Sequence, residues 1–334
     1  MLRVTKAGLY CAAGDFTIDP RRSVERAVIT HAHGDHARRG CKAYLCSESG
    51  AGILRERIGA RAPIESLRFG ESVKMGDVRV SLHPAGHILG SAQVRIECGG
   101  TVWVVSGDYK TQPDPTCEPF EPVACDTFIT ESTFGLPVYR WPEPAKVFAE
   151  INRWWRENRE AGVASVVQAY ALGKAQRVLD GVDPSIGPIW IHRSVAAFLP
   201  HYRSAGFPLN PARIIDDQTA RGLAKDGALV IAPGQAVDGL VRGERSRCSM
   251  AFASGWMLLG RHRRRRGLDR GIVLSDHADW DGLVSTVKAT GARTIGVTHG
   301  DGDAFTRWLK GEGYNAFTVP RAPRDGQVEF EFGN

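Results

Sequence analysis

Residues 27–40 read AVITHAHGDHARRG, an apolar run that ends in His31, His33, Asp35 and His36. Such side chains are costly to bury and contribute little to packing. Their crowding constrains the fold. AVIT is expected to be a short buried strand, and the loop at its end must have a use for imidazoles and a carboxylate. A loop at a strand end can splay alternate side chains toward one point. His31 and His33 can then face one metal ion, with Asp35 and His36 facing a second. Imidazole and carboxylate are the ligand types of zinc or manganese. HARRG is expected to start a helix. A lone His-x-His would read more simply as a surface loop carrying histidines; His-x-His-x-Asp-His is far more specific.

Two metal ions need further ligands, and other strand ends offer them. His87 lies in HPAGHILGSA after the strand VRVSL, where Gly86 and Gly90 let the backbone bend tightly. Asp108 ends VWVVSGD, where a carboxylate could bridge both ions. His299 ends TIGVTHG. Taken singly, each could be structural or solvated. Together they describe a site that stays net positive with two divalent ions bound, which suits a phosphodiester.

The chain has 334 residues, enough for two domains with cores of their own. Apolar residues make up 43% and charged residues 24%, which excludes a disordered chain. The net charge of +6 suits a polyanionic partner without requiring one. Seven cysteines, an odd number, include no Cys-x-x-Cys pair. That excludes a disulfide framework and a cysteine zinc site. No apolar run approaches the roughly 20 residues of a transmembrane helix, and MLRVTKAGLYCAAGDF has no apolar signal core. A cytoplasmic protein without membrane contact is expected.

Up to residue 135 the chain reads as strands and hairpins, with Gly-Asp in VKMGDVRVSL and Gly99-Gly100 as turns. From about residue 143, EPAKVFAEINRWWRENRE has helical spacing at Val147, Ile151 and Trp154 or Trp155. Strands and helices then alternate, which predicts a small parallel sheet with covering helices. DWDGLVSTVKATG and DAFTRWLKGEG are expected to be helices, with RTIGVTHG a strand between them.

HAHGDH, PAGHILGSA, SGD and THGD together resemble the metallo-β-lactamase fold. DTFITESTFG, LSDHADW and VTHGD resemble motifs A, B and C of its β-CASP nuclease branch. With GLYCAAGDFTIDP and AYALGKAQR the resemblance covers nearly the whole chain. It is greatest to the bacterial exonucleases encoded beside ATP-dependent DNA ligases. The implied fold is α/β: a discontinuous metallo-β-lactamase αββα sandwich over 1–135 and 272–334, with a parallel-sheet β-CASP cap domain inserted at 136–271.

The resemblance also implies roles. His31, His33 and His87 would hold one divalent metal ion and Asp35, His36 and His299 the other, with Asp108 bridging. Asp19 in FTIDP would buttress the metal loop, with Asp15 a nearby decoy; such contacts fix ligand orientation. Glu131 and His277 would handle the leaving group. His277 as imidazolium would donate a proton to the departing oxygen, with Glu131 orienting it and favouring its charged form. A buried structural pair is the plainer alternative.

The implied activity is two-metal phosphodiester hydrolysis: a DNA exonuclease of repair or end processing. Single-stranded DNA would be its partner, in functional association with an ATP-dependent DNA ligase and helicase. His299 at motif C instead resembles the RNA-cleaving members, RNase J and the polyadenylation endonuclease, so an RNase is the second reading. A small-molecule metallo-hydrolase would share His-x-His-x-Asp-His but has no reason to carry Glu131, His277 and a cap. A non-catalytic scaffold would have lost ligands. For nucleic-acid contacts, Lys174, Gln176 and Arg177 at a helix start could meet a phosphate, or could be solvated charges at an ordinary turn. The arginine run Arg263, Arg264, Arg265 and Arg266 is a second candidate. Trp154, Trp155 and Trp256 could stack on bases, although core packing is the simpler role.

Overall fold

The computed structural model describes residues 1–215, 222–240, 247–260, 268–300 and 302–320, together with the strand Phe330–Glu331. Contacts divide the chain into two units, Met1–Tyr139 with His277–Asn334, and Arg140–Asp276.

The first unit is built on two seven-stranded sheets. One runs, in spatial order, Phe330–Glu331, Leu2–Thr5, Gly8–Cys11, Phe16–Ile18, Arg26–Val28, Ala43–Ser47 and Ile64–Leu67. The other runs Asn315–Thr318, Thr294–Thr298, Thr127–Glu131, Thr101–Val105, Ala92–Cys98, Val78–Pro84 and Ser72–Met75. Side chains alternate across a strand, so each sheet has two faces to cover. Leu2, Val4, Phe16, Ile18 and Val28 of the first sheet pack with Val80, Leu82, Val94, Ile96 and Val105 of the second. The opposite face of the second sheet, including Val104, Phe128, Ile295 and Val297, packs with Leu283, Val287, Phe305 and Leu309. These last four belong to the helices Trp280–Thr290 and Gly302–Gly311. The helix Glu48–Ile58 lies beside the first sheet.

The expected Gly99-Gly100 hairpin is present, with Cys98 paired to Thr101. So is the Gly-Asp hairpin, with Met75 paired to Val78. Two local expectations need correction. Glu48–Ile58 is a helix inside a region read as strands and hairpins; its glycines weaken the helical signal, but Ser47 caps it by accepting from Gly50 N. No helix starts at HARRG. His36 N and Ala37 N both donate to His33 O, and the turn propagates no further before Gly40, whose φ is 88°.

The second unit is a six-stranded sheet in the order Arg213–Ile214, Ile189–Ile191, Leu229–Ala232, Ala164–Gln168, Cys248–Ala253, Arg270–Ile272. Every recorded pairing in it is parallel. Parallel strands are buried on both faces. Val167 and Ile231 accordingly join one core, and Val166 and Val230 the other. The helix Pro144–Glu160 contributes Val147, Ile151, Trp154 and Trp155, one stripe at helical spacing. Trp154 and Trp155 are therefore core residues and cannot stack on bases.

Candidate metal centre

Four of the candidate ligands lie within three residues past the end of a strand in the first unit. His31 follows Arg26–Val28, His87 follows Val78–Pro84, Asp108 follows Thr101–Val105 and His299 follows Thr294–Thr298. Glu131 is the last residue of Thr127–Glu131. The turn at His87 requires Gly86 and Gly90, whose φ values are 70° and 72°. A Cβ would lie 2.4 Å from Lys110 O at the first and 2.2 Å from Gly50 N at the second. The bend expected from the sequence is thus fixed by glycine.

The side chains converge in groups that share Asp108. One group is His31, His33, His87 and Asp108; another is His36, Asp108 and His299; a third is Asp108, Glu131 and His277. Within each, the donor atoms lie within 4.8 Å of one another. His33 Nδ1 is 3.1 Å from both His31 Nε2 and His87 Nε2. Asp108 Oδ2 is 3.4 Å from His36 Nε2, 3.6 Å from His31 Nε2 and 3.8 Å from His87 Nε2. Two ligands of one tetrahedral zinc ion, each at about 2.0–2.1 Å, are about 3.3 Å apart. The donors are therefore spaced as ligands of a common cation. Asp35 lies at the rim, its side chain 77% exposed and its Oδ2 3.8 Å from His36 Nε2.

The surrounding hydrogen bonds aim these nitrogens. Asp19 accepts from His36 Nδ1 at 2.8 Å, which leaves the lone pair of His36 Nε2 available to a cation. Asp19 also accepts from Thr30 N and Thr30 Oγ1. Thr30 Oγ1 in turn lies 3.1 Å from His31 Nδ1, so one carboxylate orients two candidate ligands. Asp15, the decoy, bonds Tyr10 and pairs with Arg26 instead. Thr298 Oγ1 lies 3.0 Å from His299 Nδ1. Thr30 and Thr298 are not among the expected site residues, although each directly precedes a candidate ligand, and that adjacency is the available signal. Asp19 and His299 have φ of 44° and 54°, a left-handed conformation in which Asp and His are enriched.

Electrostatics fits a cation. Burial pushes His31 well below its ordinary pKa, and the neighbouring His36 and His87 add to this, so it is neutral and able to ligate. At His36 burial opposes the charged form, but Asp108 and Asp19 outweigh it and hold its pKa well above the ordinary value. A metal ion bound at His36 would compete with that proton. At Asp108 burial favours the neutral acid, but His36 and His277 outweigh it and keep the carboxyl well below the usual range.

Beside these groups, His277 Nδ1 lies 2.9 and 3.0 Å from the two carboxylate oxygens of Glu131. Glu131 Oε1 also accepts from Tyr109 N at 2.7 Å. Glu131 is 1% exposed, whereas the His277 side chain is 23% exposed.

The nucleic-acid candidates of the second unit fare differently. Lys174, Gln176 and Arg177 do begin a helix, Lys174–Gly181, but all three are buried. Lys174 Nζ is 2.9 Å from Asp276, and Arg177 Nη1 bonds Ser275 O. Gln176 Oε1 accepts from Gly173 N. Neither phosphate contact nor solvation describes them: internal partners hold these side chains away from solvent. Arg263, Arg264, Arg265 and Arg266 lie outside the described residues.

No family model matches the chain. It is similar to a protein of Opitutus terrae named probable DNA ligase, 30% identical over 329 residues, which covers 96% of this chain and 31% of that relative. It is similar to endoribonuclease YSH1 of Yarrowia lipolytica, 28% identical over 154 residues, covering 42% of this chain and 17% of the relative. The chain thus spans about a third or less of these curated relatives. A solved protein of unknown function from Enterococcus faecalis V583 shares the fold, with a TM-score of 0.59 at 14% identity. The likeness covers 91% of this chain and 80% of that one.

Proposed function

We propose that this chain is a metal-dependent nuclease of the metallo-β-lactamase and β-CASP type. The observation that carries the reading is the pair of imidazole groups sharing the buried Asp108 carboxylate, one of them reaching out to the exposed His299, with the Glu131–His277 pair against them. The two packed sheets with helices outside support the αββα sandwich, and the parallel-sheet unit supports an inserted β-CASP domain. Similarity to a protein named endoribonuclease supports phosphodiester hydrolysis.

His31, His33, His87 and Asp108 would hold one divalent ion, and Asp35, His36, His299 and Asp108 a second; zinc suits these donors, and manganese is the other candidate. When bound, such ions supply Lewis-acid stabilisation of phosphoryl charge and activate the attacking water. The chain's own residues do the rest. Asp19 and Thr30 hold His36 and His31 in their ligating orientation. Glu131 accepts the Nδ1 hydrogen of His277, so His277 Nε2 carries the proton for the departing oxygen. Glu131 is fixed by Tyr109 N, and the histidine keeps its aim.

The finer reading is a single-stranded DNA exonuclease acting in repair or end processing with a ligase. Similarity across 96% of the chain to a protein named probable DNA ligase supports it. RNA is the second reading, favoured by His299 beside His36 and Asp108. The test uses one sequence as single-stranded DNA and as RNA, labelled at either end and incubated with zinc or manganese. Stepwise shortening of DNA, lost in Asp35→Ala, is expected. Cleavage of RNA alone moves the protein to the second reading; no cleavage of either rejects the nuclease.

A further inference from the structure

Among the described residues, four large apolar side chains are exposed: Val138, Tyr170, Ile214 and Trp256. The two aromatic ones lie at one edge of the parallel sheet. Tyr170 is two residues past Ala164–Gln168, and Trp256 is three past Cys248–Ala253. Those strands are neighbours, parallel, with Gln168 paired to Phe252. Tyr170 and Trp256 therefore follow the carboxyl ends of adjacent strands, which lie about 4.8 Å apart.

This is also the point where the winding of the sheet reverses. From Ala164–Gln168 the chain passes to Ile189–Ile191 on one side; from Cys248–Ala253 it passes to Arg270–Ile272 on the other. Adjacent parallel strands whose connections leave in opposite directions mark the place where open parallel sheets bind ligands. The backbone under each ring is fixed. Ala175 N donates to Tyr170 O, and Ala169 N to Ala232 O. Ser254 Oγ accepts from Trp256 N, while Ser254 N donates to Ile272 O. Tyr170 is 63% exposed and Trp256 is 39% exposed. Arg193, exposed, follows Ile189–Ile191 at the same edge. Its charge and the chain's net +6 complement a polyanion.

We infer that Tyr170 and Trp256 form a stacking platform for the bases of a single-stranded nucleic acid at this switch point. The inference deepens the proposed nuclease reading and rests on it for the choice of ligand. Every base offers a π-face, so the platform would grip a strand without reading its sequence.

The test measures binding of the metal-loaded full chain to phosphorothioate-linked strands that resist cleavage, as DNA and as RNA. Each is paired with an abasic strand of equal length and charge. The intact strands are expected to bind more tightly than the abasic ones. Tyr170→Ala and Trp256→Ala should each weaken intact-strand binding about 5- to 150-fold, with little change on the abasic strand. Tyr170→Phe and Trp256→Phe, which keep a ring, should restore most of it. Equal binding of intact and abasic strands by the wild type overturns the platform, as does an equal loss on both strands in the alanine variants. The wild-type chain's turnover of bis(4-nitrophenyl) phosphate, which has no base, reads the metal centre separately. Its absence rejects the hydrolytic site while base-dependent binding is still measured.

Discussion

Two buried clusters of ionisable side chains, one from each unit, differ in what completes them. In the Arg140–Asp276 unit, Lys174 and Arg177 face Asp276 and the Ser275 carbonyl, so cations meet anion and acceptor. In the other unit, His31, His33 and His87 turn ring nitrogens toward one another and toward Asp108. That set is rich in lone pairs and short of positive charge. Burial of charge is common to both and does not mark a functional site. The balance of charge does: one cluster contains its own counter-charge, while the other gathers acceptors suited to a cation from outside.

Substitutions can break this contrast. The largest expected effect is at Asp108, shared by all three groups: Asp108→Ala should lower strand cleavage by at least about 10³-fold, read by single-turnover kinetics. Circular dichroism should show the fold retained. His277→Ala should follow, with kcat down about 10²- to 10⁴-fold and metal content by elemental analysis unchanged. If metal content falls in parallel, His277 is a ligand and not an acid. Asp276→Ala should cost about 3–5 kcal/mol in chemical denaturation by stranding two buried cations, with no loss of metal. Replacing Lys174, Arg177 and Asp276 together by apolar residues should recover much of that stability.

Smaller effects sharpen the picture. Asp19→Ala should weaken metal affinity or activity about 10- to 100-fold by freeing His36 to rotate. Acid should release the metal. Ligation needs neutral imidazoles, and His36 is held well above the ordinary value, so affinity should fall about tenfold per pH unit between about 7 and about 5, with His31, held well below, adding to the loss only in stronger acid. Competition with a chromogenic chelator across this range measures it. Affinity that rises in acid would contradict the imidazole site.

How much of this was legible depended on range. His31, His33 and His36 announce themselves because three imidazoles within one loop have no packing use. The Gly99-Gly100 hairpin and the helix Pro144–Glu160 followed from turn chemistry and periodicity. The helix Glu48–Ile58 escaped notice because a side-chain cap and tertiary burial outweighed its glycines. HARRG misled because a single turn of hydrogen bonds at His33 need not propagate.

The sequence by itself determined which residue types were available and where strands end. It also distinguished a chain of repeated strand-end histidines from an ordinary α/β protein. The tertiary structure alone decided which of those residues meet. Lys174 and Arg177 look like surface charges until a partner a hundred residues away buries them. Trp154, Trp155 and Trp256 look alike in the sequence, yet the first two line a core and the third is exposed. The physical reason is the same in each case. Local chemistry is written along the chain, whereas burial and partner choice depend on contacts between residues far apart in it.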